Sequence, residues 1–183
     1  MQRVSLEVLR EFPDVQRHFD AMSYDEAFRT GGDLAQRGLP RLEDQALLAH
    51  MRHRHRMLSS SEPACVALVG GDSHAAIRVL EAQPSEELRA HLRITTRAQQ
   101  LELRGGPRPM STEDAAQLLT EALERVRAAL PPDEAARWDR VRVDDVGELC
   151  FLERTAMREL LRMPAAEGAR YQRAILESAL SAL

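Results

Sequence analysis

The scarcity of β-branched residues constrains the fold of this chain more than any other feature. Valine, isoleucine and threonine together make up about a tenth of the 183 residues, while leucine and alanine dominate. Helices favour leucine and alanine, whereas strands favour β-branched and aromatic side chains. Proline and glycine recur at intervals that suit helices joined by short loops. We therefore predict an all-α fold, an irregular bundle of about eight to ten helices with no significant sheet.

Helix starts and helix faces are visible at several places. Ser23 stands three residues before Glu26, and Ser111 stands three residues before Asp114, which is the spacing of an N-terminal helix cap. One predicted helix carries its apolar residues along a single face: Leu119, Ala122, Leu123, Val126 and Leu130. Such a face predicts a helix that packs on one side and meets water on the other.

The length of the chain suits one domain spanning residues 1–183, with a soft boundary at the Gly/Pro stretch 105–110. No run of about 18 apolar residues occurs, which predicts that no segment crosses a membrane. The opening residues, MQRVSLEVLREFPDV, carry charges where a signal peptide needs an apolar stretch. We expect a cytoplasmic protein, although a chain whose export signal has been removed would have the same composition.

All 25 basic residues are arginine, because the sequence contains no lysine. This usage is typical of codon bias in a GC-rich bacterial genome. Arginine keeps its proton at any physiological pH and forms no Schiff base, so lysine-based catalysis is excluded. Genome composition therefore explains why every basic residue is arginine, without a functional role for that choice.

Residues 45–110 are net positive, with 9 arginines against 6 acidic residues, in a chain whose net charge is −4. Arg89, Arg93 and Arg97 follow one another at four-residue intervals, which predicts one exposed basic ridge on a central helix. Arg52 and Arg56 are expected to point outward from a second helix. We expect this surface to bind an acidic protein. The alternatives are internal ion pairs with the acidic ends of the chain, or nucleic acid, which the lack of aromatic residues in this region disfavours.

The run AHMRHRHRM suggests a metal or phosphate site at first sight. When the run is placed on a helix, its side chains fall on several faces around the apolar face of Leu47, Leu48, Met51 and Leu58. His53 is expected to face solvent, His50 to lie at the margin and His55 to lie near the buried face. No zinc-binding pair such as H-E-x-x-H is present, so we predict no metal at His50 and His53.

The triplet Gly71-Asp72-Ser73 resembles the nucleophile block of GDSL-type esterases, with VALV before it in the place of a strand. The resemblance covers about eight residues and implies a hydrolase with Ser73 as its nucleophile. The chain departs from that family because it lacks the strands of an α/β sheet and the late Asp-x-x-His. No histidine follows His91. Helix capping by Asp72 or Ser73 explains the same residues.

Cys65 and Cys150 are too few for a disulfide framework or a cysteine-based zinc site. Neither has a neighbouring base, and we expect both to be free, buried thiols. They would pair with each other only if the fold brought them together in an oxidising compartment.

Glu153 falls in the middle of an apolar face formed by Val146, Leu149, Ala156, Met157 and Leu160. A buried carboxylate needs a paired and hydrogen-bonded partner. We predict that Glu153 is buried and held by an arginine, by a histidine such as His55, or by backbone and hydroxyl donors.

No catalytic constellation stands out, and no cofactor is implied. The sequence therefore favours a non-catalytic protein-binding or adaptor module that uses its basic central helix. Nucleic-acid binding through the same arginines is the first alternative. The second alternative is a hydrolase with a non-obvious site at Ser73 or at Glu153 and His55.

Overall fold

The computed structural model describes residues 2–181, without the side chains of Gln2, Arg3, Tyr24 and Ser73. Within that range the chain forms eleven α-helices, one more than the upper end of the predicted range, and no strand. The all-α prediction is confirmed. The helices are α1 Gln2–Leu9, α2 Pro13–Phe19, α3 Tyr24–Gly38, α4 Asp44–Ser60, α5 Glu62–Val69, α6 Ser73–Glu81, α7 Ser85–Arg104, α8 Thr112–Ala129, α9 Pro132–Trp138, α10 Val146–Leu160 and α11 Ala165–Ser181.

Local sequence signals account for where several helices begin. The Ser23 hydroxyl accepts a hydrogen bond from the Glu26 amide, and the Ser111 hydroxyl accepts one from the Asp114 amide, so both predicted caps are confirmed. Each bond satisfies an amide that has no partner within the first turn of its helix. The 3₁₀ turn Leu39–Arg41 joins α3 to α4.

Helix α4 is central because it contributes to three groups of buried apolar side chains. Leu48 and Met51 pack with residues of α8, α10 and α11. Leu47 packs with Ala98 of α7, and Leu58 packs with the two cysteines of α5 and α10. Helices on both sides of the Gly/Pro stretch 105–110 therefore share a core with α4.

The closest packing is between α3 and α7. Gly38 lies against the backbone of Ala98, where a side chain would collide with the Ala98 carbonyl. The N-terminal helices α1 and α2 also pack on α7. No helix in the part of the chain described is long and apolar enough to cross a membrane.

Candidate functional site

The basic ridge on α7 is paired with acids from the N-terminal helices. Arg89 Nη2 lies 2.9 Å from Glu7 Oε2, and Arg93 forms a two-pronged pair with Glu11 at 2.7 and 2.8 Å. Arg97 is exposed and donates to Gln100. Arg89 and Arg93 therefore form the internal ion pairs with the acidic N-terminal end that the sequence offered as an alternative, because α1 and the turn after it lie alongside them.

These ion pairs remain open to solvent. The side chains of Arg89 and Arg93 are 33% and 50% exposed. The Arg93 guanidinium lowers the pKa of Glu11, mainly through its hydrogen bond. Beyond the ridge, Gln100 and Arg104 donate to Asp14 of α2 and lower the pKa of that carboxyl, mainly through the Gln100 hydrogen bond. The contact between α7 and the N-terminal helices is therefore polar at its edge.

Arg52 and Arg56 are exposed on α4, as predicted. Arg56 pairs with Glu87 of α7 at 3.2 Å, and its Nη2 lies 3.4 Å from His53 Nδ1. Arg56 therefore adjoins the α4–α7 interface, where three histidines meet.

His50 and His53 of α4 and His91 of α7 form a buried cluster. The predicted outward orientation of His53 is wrong, as is the marginal position of His50, because α4 is packed by other helices on several sides. The ring of His91 stacks on His53 at 4.6 Å and on His50 at 5.7 Å. His50 Nδ1, His53 Nε2 and His91 Nδ1 are buried and have no hydrogen-bond partner among the described residues.

Burial keeps these imidazoles neutral. It lowers the pKa of His50 and of His91 to about 3, and the nearby Arg54 guanidinium acts in the same direction. It also lowers the pKa of His53. The nearly parallel rings do not converge on one point, and among the residues described no group of three or more His, Cys, Asp or Glu side chains is arranged to hold a metal ion.

His55 lies in an open cleft of about 540 Å³ between α4, α9 and α10. Burial lowers the pKa of His55, and so do the positive charges of Arg158 and Arg154. The side chain is half-buried rather than buried, which corrects the expectation made from the helical face. The cleft is lined by His55, Ser59, Asp133, Glu134, Arg137, Phe151, Arg154, Thr155 and Arg158.

The sequence contained part of the signal for this cleft. Arg154 and Arg158 stand four residues apart on α10, but α9 supplies Arg137, and only the tertiary structure brings these helices together. The Arg137 guanidinium lies 4.1 Å from the centre of the Phe151 ring. Glu153 does not line the cleft, so the proposed pairing of Glu153 with His55 in one site is not found.

Glu153 has an arginine partner but is not buried. Its side chain is 26% exposed, and its Oε1 accepts a hydrogen bond from Arg54 Nε at 2.5 Å. The buried carboxylate of α10 is Glu159, which is 4% exposed and accepts hydrogen bonds from Arg158 and Arg162. The helical phase predicted for this segment is therefore displaced, because the packing of α10 against α4, α5, α8 and α11 decides which of its residues are buried.

Cys65 and Cys150 form a disulfide that joins α5 to α10, with Cα atoms 5.8 Å apart. The expectation of two free thiols is therefore wrong. Both residues are fully buried. The fold brings them together although they stand 85 residues apart in the sequence.

The Gly-Asp-Ser triplet lies at a helix start. Asp72 accepts a hydrogen bond from the Ala75 amide and caps α6, while VALV belongs to helix α5 rather than to a strand. The strand implied by the esterase resemblance is therefore not found. The side chain of Ser73 lies outside the described residues.

No family model, curated protein or solved structure matches this chain. The fold and the geometry of its polar clusters are therefore the basis for the proposals that follow.

Proposed function

We propose that the protein is a non-catalytic binding module whose helix α7 receives a helix of a partner protein. The observation that carries this proposal is a match in register. Glu7 and Glu11 stand four residues apart, and they meet Arg89 and Arg93, which also stand four residues apart. Helix α1 and the turn after it, which carries Glu11, therefore serve as a template for the partner, a helix with carboxylates spaced by one turn along one edge.

The helices that cover α7 are suited to exchange. Helix α1 has eight residues and α2 has seven, and helices this short have little stability of their own. Val8 and Val15 are their fully buried apolar anchors. Water screens the exposed ion pairs at the edge, so these pairs set specificity more than stability. A partner helix with a better apolar face can compete for the same surface.

The same segment of the chain also indicates where a partner helix needs apolar side chains. Val8 follows Glu7 directly in α1, and Val15 is the buried apolar residue of α2, so apolar side chains face the core while carboxylates line the edge. Nucleic acid is disfavoured as the ligand, because the acids of α1 and α2 stand beside the arginines that would contact phosphates.

A fluorescent peptide with the sequence of residues 2–19, added to the full-length protein, tests this proposal by anisotropy. We expect saturable binding that weakens severalfold for a peptide with Glu7→Gln and Glu11→Gln. In the Arg89→Gln/Arg93→Gln variant, whose own α1 is also held less firmly, the difference between the two peptides should disappear. The Val8→Ala protein should bind the unchanged peptide more tightly, because its own α1 is held less firmly.

Arg142→Gln is the matched control, since Arg142 is exposed in a separate pair with Asp144. Peptide binding that the charge variants leave unchanged would contradict the proposal. Salt-sensitive binding of a DNA duplex without binding of the peptide would replace it with the nucleic-acid alternative.

A further inference from the structure

We propose that the cleft between α4, α9 and α10 binds a small phosphorylated molecule, with Arg154 as the principal anion-binding residue. The volume of about 540 Å³ is in the range of small-molecule sites. Arginine is suited to phosphate because its planar guanidinium presents several N–H donors at once. Nothing in the α7 surface contributes to this cleft, so the inference is independent of the proposed protein-binding function.

The three arginines of the cleft differ in how many of their guanidinium N–H groups already bond to carboxylates. Arg158 is paired with both Glu134 and Glu159. Arg137 uses Nε and Nη2 on Glu148. Arg154 has a looser ion pair, with Glu62 at 3.2 Å, and its partner is more than half exposed. Arg154 therefore has the donors that a bound oxyanion needs, and Arg137 Nη1 is a second candidate donor.

Neutral donors stand beside the arginines. His55 and Ser59 lie one turn apart on α4 and line the same cleft. Burial lowers the pKa of His55, and the positive charges of Arg158 and Arg154 act in the same direction, so the imidazole beside these arginines is neutral. A neutral imidazole and a hydroxyl each provide one donor to a phosphoryl oxygen without adding charge.

The floor of the cleft is suited to the carbon skeleton of the ligand. Phe151 and Thr155 are both buried and line the cleft from α10. Asp133 and Glu134 on the α9 side limit the negative charge that the cleft accepts. The arrangement fits one phosphoryl group attached to a compact apolar body, rather than a polyanion.

Isothermal titration of the full-length protein with phenyl phosphate, at constant ionic strength, tests this inference. Inorganic phosphate and benzoate are the comparison ligands. We expect phenyl phosphate to bind more tightly than either, and its affinity to fall at least tenfold in Arg154→Gln. Arg142→Gln, whose guanidinium is exposed and does not line the cleft, should leave the affinity unchanged.

The Ser59→Ala variant removes one neutral donor from an exposed position and should weaken binding severalfold even if Arg154→Gln fails to fold. Affinity for phenyl phosphate that both cleft variants leave unchanged would overturn the inference. Tighter binding of benzoate than of phenyl phosphate would overturn the phosphoryl assignment. Failure of peptide binding to α7 would have no bearing on either outcome.

Discussion

The imidazole rings of His53 and His91 stack across the α4–α7 interface, with ring centres 4.6 Å apart and planes 20° apart. His50 completes the cluster, and the charged groups that act on it are Arg54, Arg56 and Glu87. Positive charge outweighs negative charge around the rings. Protonation of any ring would place a cation in a buried site that already faces arginines.

Stability is therefore expected to fall as the pH drops below about 6.5. The pKa of His50 and of His91 is lowered to about 3 in the folded state, so the unfolded chain binds more protons between these values. Each ring accounts for a loss on the order of 1–2 kcal/mol at pH 5, measured by urea unfolding at pH 7.5, 6 and 5.

The His91→Gln variant should show a shallower dependence on pH over the same interval. Paired carboxylates such as Glu134 have a lowered pKa and lose their stabilising charge at lower pH, so they do not account for a change above pH 5. A His91→Gln profile as steep as that of the parent protein would contradict the explanation.

The Gly38→Ala substitution should destabilise the protein by about 2–4 kcal/mol, because the new methyl group would collide with the Ala98 carbonyl and separate α3 from α7. Gly32→Ala is the control on the same helix, where a Cβ meets nothing within 4 Å. That change should stabilise the helix by about 0.5–1 kcal/mol. Thermal unfolding of both variants measures the difference, and a similar effect of the two would show that the close contact is not required.

Removal of the disulfide should lower the free energy of unfolding by about 3–5 kcal/mol, because the bond closes a loop of 85 residues in the unfolded chain. Urea unfolding of the Cys65→Ser/Cys150→Ser variant, and of the parent protein with and without reductant, provides the measurement. Equal midpoints for the reduced and oxidised parent protein would show that the pairing contributes nothing.

Glu159→Ala should destabilise the protein more than Glu153→Ala. Glu159 is almost completely buried and accepts hydrogen bonds from Arg158 and Arg162, so its loss opens an unfilled buried space and removes one of the two carboxylates that Arg158 contacts, at about 2–4 kcal/mol. Glu153 is partly exposed in its pair with Arg54, and its loss should have an effect of about 1 kcal/mol. The order of the two urea midpoints is the test, and the reverse order would favour the phase predicted from the sequence.

Local signals predicted the helical class and the start of several helices, but they located the buried faces only approximately. On α8, Ala122, Val126 and Leu130 are buried as predicted, whereas Leu123 is exposed and Leu118 takes a core position. A shift of one residue rotates a helical face by about 100°. The neighbours α10 and α11 determine where the contact is centred, and their positions are not encoded in the local repeat.

The sequence by itself determined the all-α class, the caps at Ser23 and Ser111, and the absence of lysine chemistry, because each depends on residue type or on neighbours within one helical turn. Only the tertiary structure decided that His53 is buried and that Cys65 meets Cys150. It also decided that the ridge of α7 is paired with α1. These outcomes depend on which helices pack against each other, and those helices are far apart in the sequence. The apolar repeat along one helix does not indicate which other helix packs against it.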